Sequence, residues 1–408
     1  TNSVYNANAS PVIGDIRHDP PLPPPGSSIA IACRAGSRGG AGMVHTVKLL
    51  WRWDANPQTN TYDELQMFDN GLNGDAVAGD NIYTRMFPTN NGSAAVTNGA
   101  LLDFKIGVLD QWAGAATNPA ISIADTGTNA LCCLCFFGND TAFTGEYDTY
   151  HVLMTASNRS LLETRGLYLR TTLDSTCITS DGDIFYNSGV RYRGDSSEIA
   201  APNQVNYYVR LPRGEAIAGR DILPLNHERQ LKQRLGMTVA HDSGYGVLAS
   251  DTKLVRLWLN GAYVQPPTEG GLFVQLDRIE DIVGSHFADD SGNYYTANGS
   301  QAGGPSYQGS LDYVTPLSSY FTQYLVDKTN NPVTIWHEMS NLCWIVDQAN
   351  ASTFPTILSN RIDIRYWARY FATQVALDKG EGGFDDPGAP GGDELRLYCN
   401  PPSGQFYI

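Results

Sequence analysis

The sequence predicts a multi-domain protein in which an all-β sandwich precedes a larger α+β domain, and three observations carry that prediction. At 408 residues the chain exceeds what one hydrophobic core usually holds. As far as Pro119 its apolar residues alternate, or run in strand-length stretches, between clusters of Gly, Asn and Asp. Beyond residue 142 strand-like segments come first and helix-like periodicity follows, the order expected of an α+β domain.

Residues 1–26 form a polar arm, "TNSVYNANASP", which reads like a mature start, and a stiff proline-rich lead-in, "PPLPPPG". In residues 27–122, "SIAIACRA", "HTVKLLWRW", "YDELQMF", "IYTRMF" and "LLDFKIGVLD" read as strands at the spacing of an immunoglobulin-like sandwich. Between two of them, "MFDNGLNGDAVAGDNIYT" sets Asp69, Asp75 and Asp80 on a glycine-rich loop. Oxygen ligands at short intervals on a tight loop suit a structural Ca2+ ion, and the same residue types also build ordinary long turns; the spacing is not that of an EF-hand. Residues 123–141 are a Cys-containing linker with an apolar centre. In the domain spanning 142–408, "YHVLMTA", "GDIFYNSGVRYRG", "NYYVRLP", "LVRLWLNGAYV" and "GGLFVQLD" predict strands. Helices are expected at about 226–236, 311–328, 333–349 and 361–379.

Composition excludes several functions. With 27 basic against 42 acidic residues, a net charge of -15 and no basic run, the chain is not built to neutralise a nucleic acid. The densest apolar run, "ALCCLCFF" at 130–137, is far too short for a membrane span. Low Lys usage and sequons at Asn8, Asn91, Asn139, Asn158, Asn298 and Asn350 predict an extracellular glycoprotein. Seven cysteines fit an oxidising compartment; the C-x-x-C pair Cys132 and Cys135 lacks a second pair for zinc, so disulfides are expected, with at least one thiol left over. No G-x-S-x-G elbow, P-loop or dinucleotide-binding glycine signature occurs, and "HEMSN" puts Asn341 where a zinc-binding helix needs its second histidine. The remaining histidines read as packing or surface residues.

"GVRYRGDSS" at 189–197 is the most pointed stretch. Period-two alternation puts Arg191 and Arg193 on one strand face, just ahead of a turn carrying Ser196 and Ser197. Such a stretch serves either as a surface strand with a Gly-Asp turn or as a phosphate or carboxylate site. Together with "NYYVRLPRGEAIAGRDILPLN", "LVRLWLNGAYV", "GGLFVQLDRIEDIVGSHFADDSGNYY" and "IDIRYWARYFATQVALDKGEGGFDD", it makes residues 145–408 resemble the CotH family of spore-coat-type secretory kinases. The resemblance implies a two-lobed, atypical protein-kinase-like fold and Mg-ATP as cofactor. It assigns Arg191, Arg193, Ser196 and Ser197 to phosphate, Asp277 to the acidic position after the Gly-Leu-Tyr strand, Asp378 to the catalytic base, and Asp393 or Glu394 to metal.

Three departures qualify it. "NQVNYYV" lacks the phosphate-pairing lysine, Asp277 replaces a glutamate, and the sequence stops at "GQFYI" before the family's Trp-Asp-x-Asp metal motif. The expectation is therefore an exported structural protein with a degenerate CotH-like domain, self-associating into a filament, coat or surface layer, with other surface proteins or glycans as further partners. The alternative is an active secretory Ser/Thr kinase.

Overall fold

The structure is a computed structural model and describes residues 11–36, 44–54, 61–87, 96–110, 115–119, 131–138, 147–165, 169–193, 205–227, 230–242, 246–266, 269–296, 311–322, 325–328, 335–376 and 396–408. The chain is mostly β and divides into two compact units. The first comprises residues 1–193, 202–228 and 254–273; the second comprises 194–201, 229–253 and 274–408.

The first unit begins with β1 (Val12–Asp19), β2 (Ile29–Gly36), β3 (Val44–Trp53), β4 (Asp63–Gln66), β5 (Ile82–Phe87), β6 (Ala100–Asp110), β7 (Ala115–Asn118) and β8 (Cys133–Phe137). They form two sheets, ordered β1-β2-β5 and β4-β3-β6-β7, with β8 also paired to β6. The sheets share one core because alternate residues point inward: Ile29, Ile31 and Cys33 of β2, Val47 and Leu49 of β3, Leu102, Phe104 and Ile106 of β6. The intervening residues of β6 carry charge. Asp103 and Lys105 are fully buried on its other face, where Arg52 Nε donates to Asp103 Oδ2 at 2.7 Å.

Within the segment read as a linker, the described residues 131–138 carry β8, whose alternation explains what becomes of the C-x-x-C pair. Cys135 faces the core between the sheets, while Cys132 faces a second cluster with Leu101, Leu134, Leu153 and Ile178. Two residues three apart on a strand point to opposite sides, so the pair can neither bridge nor share a metal. The disulfide expectation is corrected more generally: all seven cysteines are free and buried. Burial pushes the Cys33 and Cys177 thiols up to about 12, which keeps them protonated and inert at neutral pH.

The chain continues through β9 (Asp148–Leu153), α1 (Ala156–Thr164), β10 (Leu173–Thr179), β11 (Ile184–Arg193), β12 (Asn206–Arg210), β13 (Ile222–Asn226), α2 (Gln230–Asp242), β14 (Lys253–Leu259), β15 (Ala262–Tyr263) and β16 (Phe273–Gln275). The sheet runs β15-β14-β16-β13-β12-β11-β10-β9, and β9 pairs in parallel with β14. That last pairing closes seven strands into a barrel, which removes the edges an open sheet would expose. Val190, Tyr192, Tyr207, Val209, Leu223 and Leu225 alternate along three of its strands and are buried. Helices interleave with these strands instead of following them. α1 starts at Thr155, whose side chain caps the Asn158 N–H. The sequon at Asn158 is not a glycan site in this fold, since that side chain is fully buried and donates to Asp174 O at 3.1 Å.

The second unit, to which α2 belongs, adds α3 (Ile279–His286), β17 (Asn293–Thr296), β18 (Leu325–Lys328), α4 (Ile335–Gln348), α5 (Phe354–Leu358), α6 (Ile364–Ala376), β19 (Arg396–Asn400) and β20 (Gln405–Tyr407). Its four-stranded sheet, β18-β17-β19-β20, packs Tyr295, Leu397 and Phe406 with Met339, Leu342, Cys343, Tyr366 and Trp367 of the helices. Two side chains of α6 also fasten the last strand: Trp367 Nε1 donates to Phe406 O at 2.8 Å and Tyr366 Oη to Ile408 O at 2.7 Å. The helix expected at 311–328 is a correction. A short 3-10 turn at Leu317–Thr322 and strand β18 stand there, because pairing of β18 with β17 outweighs the helical spacing of the apolar residues. α4 and α6 fall where helical periodicity put them.

Candidate functional site

Arg191 and Arg193 come to one face of β11 because Val190 and Tyr192, the residues alternating with them, are buried. Antiparallel pairing sets Arg191 opposite Tyr208 and Arg193 opposite Asn206. The Arg191 guanidinium lies 4.0 Å from the Tyr208 ring centroid, and its Nη1 donates to Tyr192 O at 2.9 Å. Arg193 Nη1 donates to Asn226 Oδ1. The row continues at Asn206, whose Oδ1 accepts from the His227 backbone N–H at 2.8 Å. Both arginines thus serve as cross-strand ties between β11, β12 and β13.

Arg165, the C-cap residue of α1, belongs to the same neighbourhood and was not singled out from the sequence. Its Nη1 donates to Thr171 O at 2.8 Å, while its buried Nη2 has no hydrogen-bond partner among the described residues. Burial, and then the charge of Arg191, holds Arg165 below the usual guanidinium range. Two like charges that act on one another create a local field that an anion would relieve. No local motif marks Arg165; its role emerges only when α1 folds back against the barrel.

In the second unit Asp277 follows β16 and is half-buried. It works as a loop clamp: its own N–H donates to Ser250 Oγ at 2.7 Å, and its Oδ2 accepts the Asp251 N–H at 2.8 Å. Ser196, Ser197, Asp378, Asp393 and Glu394 lie outside the described residues. So do the sequons at Asn8, Asn91, Asn139 and Asn298; Asn350 is exposed. Glu338 of "HEMSN" accepts from Asn293 Nδ2 at 2.9 Å and Tyr295 Oη at 3.0 Å, a structural use.

Asp69, Asp75 and Asp80 are brought together: each offers an oxygen within 4.8 Å of the other two. The loop is wound around them by backbone donors. Asp69 Oδ1 accepts the Gly79 N–H at 2.6 Å, Asp69 Oδ2 accepts the Asn81 N–H at 2.9 Å, and Asp75 Oδ2 accepts the Gly71 N–H at 2.6 Å. Gly79 has φ +79°, a conformation that suits glycine and lets its N–H turn inward. Each pair of carboxylates at that separation repels by about 1 kcal/mol in water and about 3.5 kcal/mol at an effective dielectric of about 20.

Against known proteins, no curated protein matches the chain. A family model, CotH kinase protein, matches residues 190–408, more than half of the sequence.

Proposed function

The chain belongs to the CotH kinase protein family, and from that premise we propose that it is an exported assembly protein whose CotH domain has a structural and anion-holding role instead of transferring phosphate. One observation carries this reading: each described residue at a position the family resemblance assigns to chemistry is built into the fold. Arg191 is stacked on Tyr208, Arg193 is tied to Asn226, and Asp277 clamps the 250–251 backbone. Residues committed to holding strands and loops cannot swing onto a nucleotide without giving up those ties. The N-terminal pair of sheets is then an immunoglobulin-like module, and residues 142–408 a two-lobed kinase-like scaffold.

As an assembly protein the chain should self-associate. Light scattering of the purified protein over rising concentration is expected to show defined multimers. A monomer that persists at the highest concentration would count against the reading.

The kinase reading keeps one specific support, the grouping of Arg165 with Arg191, because clustered guanidinium groups suit phosphate.

The 69–80 loop is proposed to hold a structural Ca2+ ion, whose charge would offset the repulsion among Asp69, Asp75 and Asp80. A saturating ion should raise stability by about 3 kcal/mol at roughly 100 times its dissociation constant. Calcium addition and chelation are therefore expected to move the melting temperature of the full chain in opposite directions. The same shift in Asp75→Asn would show that the ion acts elsewhere.

A further inference from the structure

Asn158 and Asn350 are the sequons that fall among the described residues, and the fold treats them in opposite ways. Asn158 stands in α1, fully buried, with its amide donating to Asp174 O. Asn350-Ala351-Ser352 stands in the turn that follows α4, and all three residues are exposed. The turn is built on Asn350. Its backbone oxygen accepts the Thr353 N–H at 2.9 Å and the Phe354 N–H at 2.8 Å, which carries the chain into α5. Its side-chain Oδ1 accepts the Ser352 N–H and the Ser352 hydroxyl, each at 2.9 Å, the pattern of an Asx turn. Those bonds engage the oxygen and leave Asn350 Nδ2 donating to no group among the described residues.

We propose that Asn350 is an N-glycosylation site, carrying an oligosaccharide on Nδ2, and that the folded chain carries none at Asn158. The proposal rests on the exported reading above, because a chain meets a glycan transferase and its lipid-linked donor only on the export route. Two features suit the transfer. The Ser352 hydroxyl is held against the Asn350 side chain, so one enzyme surface can read both halves of the sequon, and the residue between them is not proline. A sugar on Asn350 Nδ2 also breaks no hydrogen bond and leaves an exposed turn as it is. One on Asn158 Nδ2 would force a bulky polar group into the interior and remove the bond to Asp174 O. In the transfer, Asn350 Nδ2 displaces the pyrophosphate from C1 of a lipid-pyrophosphate-linked oligosaccharide. One C–N bond forms, one C–O bond breaks, the lipid pyrophosphate leaves and an amide proton is released, with no change of oxidation state.

The test is peptide mapping by mass spectrometry of the full chain, prepared in two ways: recovered from its natural source, and secreted behind an added export signal by a eukaryotic host that carries the transferase. The readout is sugar mass on the peptide that contains Asn350 and on the one that contains Asn158. Sugar at 350 and none at 158 is expected in both preparations. In the secreting host, Ser352→Ala should abolish the sugar at 350 and Ser352→Thr should keep it. Ser352 is exposed, so neither change should move the melting temperature. Exported chain that is bare at 350 in either preparation would overturn the proposal and leave the exported reading standing. Natural chain found only inside cells would overturn the exported reading and the proposal with it. Sugar that persists on the Asn350 peptide in Ser352→Ala would place it outside this sequon and defeat the proposal. If a variant is not secreted, occupancy of the two asparagines in the natural sequence decides the matter alone.

Discussion

Replacing Asp103 with alanine is expected to destabilise the protein by about 3–5 kcal/mol, read as a fall in the denaturant midpoint of the full chain. Asp103 is fully buried, and the Arg52 guanidinium it accepts from at 2.7 Å is 6% exposed. Lys105, two residues along the same strand face, is fully buried as well. Tyr62 completes the arrangement: its Oη donates to Asp103 at 3.2 Å, and Arg52 lies 4.1 Å over its ring. Alanine would leave two buried cations without this carboxylate, and an uncompensated charge costs more than the intact pair contributes. A double-mutant cycle with Arg52→Ala should show coupling of about 1–3 kcal/mol. A loss below about 1 kcal/mol would mean that water reaches the cluster.

The second large effect concerns Asp174 on β10, whose carboxyl is pushed up from 3.8 to about 7. Burial is the main cause. Hydrogen bonds from the Cys132 N–H at 3.1 Å and from Asn187 Nδ2 at 3.2 Å oppose it, while the charge of Asp103 adds to it. The sign follows from linkage. A carboxyl whose folded value lies above its unfolded value binds its proton more tightly in the folded state. Stability is therefore full below the ordinary carboxylate range and is lost as pH rises toward about 7, in total by about 4 kcal/mol. Asp174→Asn removes this titration. The unfolding free energy of the variant, minus that of the natural chain, should climb by about 4 kcal/mol between about pH 4 and pH 7 and stay level above. Parallel profiles would show that Asp174 ionises normally.

Much of the strand framework was legible because period-two alternation survives wherever one strand face is buried and the other is not, as in "GVRYR" and "LLDFKIG". β8 escaped for the opposite reason: "CCLCFF" buries both faces, so no period remains to mark it as a strand. α1 was missed because it is short and its burial rests on Asn158 and Leu162 instead of a wide apolar stripe. Leu325–Lys328 was read as helix because strand pairing with β17 is a long-range contact that local spacing does not report. The acidic loop and the arginine pair were legible from residue type and spacing. Arg165 and the Arg52–Asp103 tie depend on segments far apart in sequence, and the alternation of β6 gives no hint that its second face also becomes an interior.

The central claim is that this CotH domain holds structure and attracts anions without transferring phosphate. Radiolabelled ATP, supplied with magnesium or manganese to the 408-residue chain and to its Asp378→Ala variant, tests it most directly. The expected result is no label on the chain or on added Ser/Thr-containing protein, identical in both. Label transferred by the natural sequence and abolished in Asp378→Ala would contradict the structural role and establish a kinase.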